Sequence, residues 1–140
     1  MGTIYKPSGV DLPATEADLF QLDHFELLQI EEGITNCGGN KLLFRDMLSL
    51  MVSKEIPSDL EQMKLAFSKQ DFTSIEKLAH KIKGGCVYLG LIRMKYACQY
   101  IERYWKTGQR ELFEALYYQA VSTIEETITY IEGWLQRDTP

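Results

Sequence analysis

His80 sits in the run Leu78-Ala79-His80-Lys81-Ile82-Lys83-Gly84-Gly85-Cys86, whose residue types suit nucleophilic chemistry at a helix surface. An unprotonated imidazole nitrogen is a nucleophile, and like charge on Lys81 and Lys83 disfavours the protonated ring. Successive helical residues lie about 100° apart, so Lys83 and Gly84 follow His80 on the same face, while Glu76 and Lys77 precede it. Lys83 is placed to neutralise a phosphoryl group carried by the ring, as a point charge rather than as an acid or base. Gly84 and Gly85 together cost a helix about 2 kcal/mol relative to alanines. A bare backbone one turn beyond the imidazole leaves room for a tetrahedral group or a partner loop to reach the ring nitrogen. Two plainer readings compete: a solvated helix face for His80, and a close helix crossing for the glycine pair.

Helices must position these residues. Asp71 caps a helix whose stripe Ile75, Leu78, Ala79, Ile82, Cys86 and Leu89 turns away from His80, and Gly90 ends it as a left-handed cap. Upstream, Asn40 opens a helix through Leu43, Phe44, Met47, Leu48, Met51 and Val52. The rhythm resumes at Leu60, Met63, Leu65 and Phe67, so Pro57 kinks one long element or divides two. Downstream, Leu91, Met94, Ala97, Cys98, Ile101 and Trp105 form a third stripe that Gly108 closes. Phe113, Leu116, Tyr117, Ala120, Ile124, Ile128, Ile131 and Leu135 form a fourth, over about 110–136.

No run alternates with period two, so the fold class is all-α. The four stripes predict an up-and-down antiparallel four-helix bundle with one or two short N-terminal helices. The expected division is a tether or surface-laid segment over 1–14, short helices over 15–37, the bundle over 38–136 and a tail over 137–140. Thr15 caps the first short helix, and Glu31 to Cys37 forms another before Gly38-Gly39.

One core suits 140 residues, and 45% hydrophobic with 25% charged residues is ordinary for a globular chain. A net charge of -5 argues against nucleic-acid binding over the whole surface. Lys77, Lys81 and Lys83 nonetheless make a basic patch around His80, suited to an acidic pocket on a partner. Cys37, Cys86 and Cys98 lack any Cys-x-x-Cys pairing and fit a reducing compartment, and no apolar run reaches membrane-spanning length, so the expected location is cytoplasmic without membrane insertion.

Ala79-His80-x-x-Lys83-Gly84, then Leu89-Gly90, Cys98 and Ile101-Glu102, resembles the histidine phosphotransfer (HPt) domain of multistep two-component relays. Gly38-Gly39-Asn40 and Gln70-Asp71-Phe72 look like that family's helix entrances, and the resemblance covers about 30–136. It implies a phosphorelay carrier that accepts a phosphoryl group on His80 from a receiver-domain aspartyl phosphate and passes it to another receiver Asp. Lys83 then stabilises the phosphoryl group, Gly84 provides clearance, and Glu102 occupies a position where the family often carries a polar residue near the His; Glu76, a helix-face neighbour of His80, is a second candidate for a supporting role. Gly85 departs from the Ser or Ala common after the glycine. The implied partners are response-regulator receivers and a hybrid sensor kinase, of which the chain resembles a C-terminal domain. Mg²⁺ comes from the receiver and no cofactor is bound by the chain itself.

The sequence holds no Gly-rich nucleotide loop, which argues for a carrier and against an enzyme that phosphorylates His80 from ATP. A metal-binding bundle fails on spacing, because Lys77 and Gln21 stand three residues before His80 and His24, where a Glu-x-x-His pair needs a carboxylate. The remaining alternative is a non-catalytic interaction module, with Val87 and Tyr88 docking a partner beside the ring; the presence of His80 separates the two. A monomer is expected.

Overall fold

The computed structural model describes residues 5–7 and 11–138. Its helices are α1 (Glu16–Leu19), α2 (Ile30–Asn36), α3 (Lys41–Leu50), α4 (Ile56–Ser68), α5 (Phe72–Leu89), α6 (Ile92–Lys106) and α7 (Phe113–Arg137). Among the described residues there is no strand, and no helix is long and apolar enough to cross a membrane. Short connections at Lys69 to Asp71, at Gly90-Leu91 and over 107–112 turn each long helix back on its predecessor. This is the expected antiparallel bundle, with α1 and α2 as the short N-terminal helices.

The capping residues act as their types dictate. Thr15, Asn40 and Asp71 accept the backbone N–H of Asp18, Leu43 and Ser74. Gly90 takes φ 79°, and a β-carbon there would collide with the Gln29 carbonyl oxygen, so both conformation and space demand glycine. That close approach lets the Gln29 N–H reach the Gly90 carbonyl at 2.8 Å and seats the entrance of α2 on the α5–α6 corner.

Pro57 divides nothing. Residues Met51–Glu55 form a π-helical turn that joins α3 to α4, with the Ile56 N–H bonded to the Met51 carbonyl five residues back. The turn changes the ladder immediately before the one residue that has no N–H to offer.

Phe44, Leu48, Met63, Ile75, Ile82, Met94, Ile101, Leu116, Ile124 and Ile131 fill the core. Two expected core positions, Leu43 and Leu65, are exposed at 43% and 54%, because the stripes on α3 and α4 are narrower than a continuous i, i+3, i+4 reading implies. Trp134 joins the core instead and meets Phe44 edge to face at 5.9 Å.

Residues 1–4 and 8–10 of the expected tether lie outside the described residues, as do 139–140. Of the rest, Leu12 is buried, Gln99 bonds the Asp11 carbonyl, and the Gln109 side chain bonds both backbone groups of Lys6. Near the other end, Arg45 bonds Asp138 through carboxylate and carbonyl and also reaches the Leu135 carbonyl, which fastens the end of α7 to α3.

Candidate functional site

α5 carries its buried residues, Ile75, Ala79, Ile82, Cys86 and Leu89, on one side, which leaves His80 outside with 65% of its side chain exposed. Directly behind it, α6 contributes Glu102. That residue falls between Ile101 and Arg103 on a helix whose neighbouring Cys98 is also buried, so its carboxylate enters the bundle and is only 1% exposed.

A carboxylate taken out of water needs partners on both oxygens. Glu102 Oε1 accepts from Lys83 Nζ at 2.7 Å, and Oε2 lies 2.5 Å from His80 Nδ1 and 3.6 Å from Lys106 Nζ. Burial alone would raise this carboxyl's pKa, but the hydrogen bonds from Lys83 and His80 and their charges outweigh it and hold the group below the usual carboxylate range. An ionised carboxylate can only accept, so His80 Nδ1 carries the proton toward Glu102 and the lone pair of a neutral ring is on Nε2.

Of the three lysines expected to form a basic patch around the ring, Lys81 and Lys83 are each in an ion pair. Lys83 is 17% exposed and committed to Glu102, while Lys81 bonds Asp59 Oδ1 at 2.8 Å. Each lysine's charge is offset by a buried carboxylate. Glu76, 12% exposed, pairs with Lys106 at 3.3 Å. Lys77 is exposed, as are Val87 and Tyr88 at 47% and 43%.

The two glycines have different reasons. A β-carbon on Gly84 would meet nothing within 4 Å, so the backbone on the His80 side is open. A β-carbon on Gly85 would stand 2.7 Å from the terminal methyl of Met51 in the π-helical turn. Gly85 therefore serves the helix crossing and Gly84 does not.

His24 is no part of this cluster: its ring packs against Phe25 at 4.0 Å. Cys86 and Cys98 are buried, and burial followed by the charge of Glu102 pushes the Cys98 thiol up to about 12, so it stays an inert core group. Among the described residues no group of three or more His, Cys, Asp or Glu could hold a metal ion.

Sequence reasoning missed Lys106 and Asp59. Lys106 was visible as the i+4 partner of Glu102 on one helix. Asp59 carried no comparable signal, since its partner Lys81 lies on another helix.

Comparison with known proteins gives this geometry a context. The chain is 29% identical over 90 residues to the Sensor protein GacS of Pseudomonas syringae pv. syringae, covering 64% of this chain and 10% of that protein. It is 28% identical over 112 residues to the Signal transduction histidine-protein kinase BarA of Escherichia coli strain K12, covering 76% of this chain and 12% of that protein. For BarA of Shigella flexneri the figures are 27% over 110 residues, 76% and 12%. The chain thus spans about a tenth of the length of the curated relatives it matches. No solved structure matches. The family model described as Hpt domain matches residues 47–134, well over half of the chain and all of the helices that carry the His80 cluster, and the chain belongs to that family.

Proposed function

We propose that this domain, a carrier in a phosphorelay, holds the phosphoryl group on Nε2 of His80, taking it from an aspartyl phosphate of a receiver domain and giving it to the Asp of another. The observation that carries this reading is the exposed imidazole whose Nδ1 is bonded to a buried, ionised Glu102, beside backbone left bare at Gly84.

In the forward step the Nε2 lone pair attacks phosphorus, the N–P bond forms, and the P–O bond to the receiver carboxylate breaks with its electron pair returning to that carboxylate. The Nδ1 proton stays where it is. The ring gains positive charge as the bond forms, and Glu102 offsets it across the hydrogen bond, a stabilisation larger in the transition state than before. Reversal against a second receiver uses the same parts. Lys83 holds the other Glu102 oxygen and is one turn from the ring, so it both orients the carboxylate and adds positive potential for the phosphoryl oxygens. Gly84 admits the receiver loop. Mg²⁺ belongs to the receiver and shields its carboxylates during in-line transfer.

Lys77 and Lys81 on the polar side of the ring and Val87 and Tyr88 on the apolar side frame the receiver's footprint, an aromatic and aliphatic centre with a charged rim. The experiment mixes the chain with a phosphorylated receiver and Mg²⁺. Acid-labile, base-stable label should appear on the parent and be absent from His80→Gln. Equal labelling of that variant would defeat the assignment.

A further inference from the structure

Lys106 is the loosest charge in the cluster. Its ammonium stands 3.3 Å from Glu76 and 3.6 Å from Glu102 Oε2, both beyond the 2.7–2.9 Å usual for charge-assisted bonds, and its side chain is 45% exposed. Lys83, by contrast, is held at 2.7 Å and 17% exposed. Lys106 also occupies the last turn of α6, next to the Thr107 cap, where a long side chain has solvent on one side.

Lys106 and the imidazole share one oxygen. Since Nζ and Nδ1 both approach Oε2, they are no more than about 6 Å apart, within the range over which charges alter one another's state. The ring that attacks must carry its lone pair on Nε2 and so no net charge, and in that form Lys106 helps balance the two carboxylates. Once Nε2 has bonded to phosphorus the ring itself is cationic against Oε2, and the lysine's contribution at that oxygen becomes redundant. At the same moment a dianionic phosphoryl group stands on the other side of the ring.

We propose that Lys106 is the mobile counter-charge of the phosphorylated state: it leaves Oε2 to the charged imidazole and moves to the phosphoryl oxygens, while Lys83 remains as the fixed support of Glu102. This rests on the assignment of His80 as acceptor. It adds a second lysine to the role that the sequence reading gave to Lys83.

The test uses the full 140-residue chain and compares the parent with Lys106→Ala and Lys106→Arg. Each is charged by a phosphorylated receiver with Mg²⁺, and the phosphorylated fraction at equilibrium and its lifetime after receiver removal are measured. Nitrogen chemical shifts of the His80 ring in the unphosphorylated proteins report which nitrogen carries the proton. Lys106→Ala should lower the equilibrium fraction ratio about five-fold, the scale of one partly exposed charge contact, with Lys106→Arg restoring most of it and the ring nitrogens unchanged in both. Phosphorylation of Lys106→Ala equal to the parent in extent and lifetime would overturn the proposal. So would a loss accompanied by a changed ring tautomer, which would make Lys106 only a prop for Glu102. A parent that takes no label defeats the His80 assignment itself, an outcome distinct from either.

Discussion

Substitutions at Gly84 should separate the stability of α5 from access to His80. A β-carbon there meets nothing within 4 Å, and the site is a helix interior with solvent on its open side. Gly84→Ala should therefore recover the helix propensity that glycine forfeits, about 1 kcal/mol, and Gly84→Gln somewhat less, about 0.5 kcal/mol. For a chain of this size 1 kcal/mol corresponds to about 3 °C in Tm, or a rise of about 0.5 M in the urea midpoint at an m-value of about 2 kcal/mol/M. Transfer should run the other way: alanine costs little, while glutamine, whose side chain extends over the approach to Nε2, slows phosphoryl acceptance by an order of magnitude or more. Gly85→Ala is the control. It brings the same propensity gain but must displace the Met51 methyl from 2.7 Å, so its stability should change by less than that of Gly84→Ala, and transfer should be retained. Urea titration and stopped-time labelling on the same preparations supply both readings. A Gly84→Gln protein that is less stable than the parent, or equally fast, would refute the clearance argument.

Glu102→Gln should keep the fold but slow transfer and lower stability by about 3 kcal/mol, because Lys83 is left half-buried without its counter-charge. The Glu102 carboxyl is held below its usual range in the folded chain, so its contribution is present above the unfolded carboxylate value and is lost as pH falls through the depressed one. The gap in urea midpoint between parent and Glu102→Gln should accordingly narrow on acidification; a gap that persists into strong acid would contradict an ionised Glu102. Gly90→Ala combines a left-handed φ of 79° with a collision on the Gln29 carbonyl and should cost more than 1 kcal/mol, read as a lowered urea midpoint, with less hydrogen-exchange protection at Gln29; an unaffected midpoint would argue against the close packing of this corner.

Caps and stripes carry their physics locally, which is why Asn40, Asp71 and Gly90 bound helices where their types predict and why His80 faces outward. The site was less legible because its decisive features are relations between helices. Gly84 and Gly85 are indistinguishable as letters; they differ only in that α5 presents one to Met51 and the other to solvent. Glu102 was named only through the family resemblance, and its bonds to both His80 and Lys83 depend on how closely α5 and α6 pack. The lysines near His80 read as a basic patch until Asp59 and Glu102, from two other helices, arrive to neutralise them.

The π-helical turn at Met51–Glu55 stores one surplus residue in an otherwise regular rod. Each residue advances an α-helix by about 100°, so the surplus works as a screw coupling that indexes α4 by that angle relative to α3. The indexing decides which of its side chains look at α5: Asp59 meets Lys81, and Met51, within the coupling itself, fills the hollow left by Gly85. Excising a single residue from this segment would leave a longer unbroken α-helix yet rotate Asp59 away from its partner, so the irregular turn, rather than the regular helices on either side of it, sets the alignment of the wall beside His80.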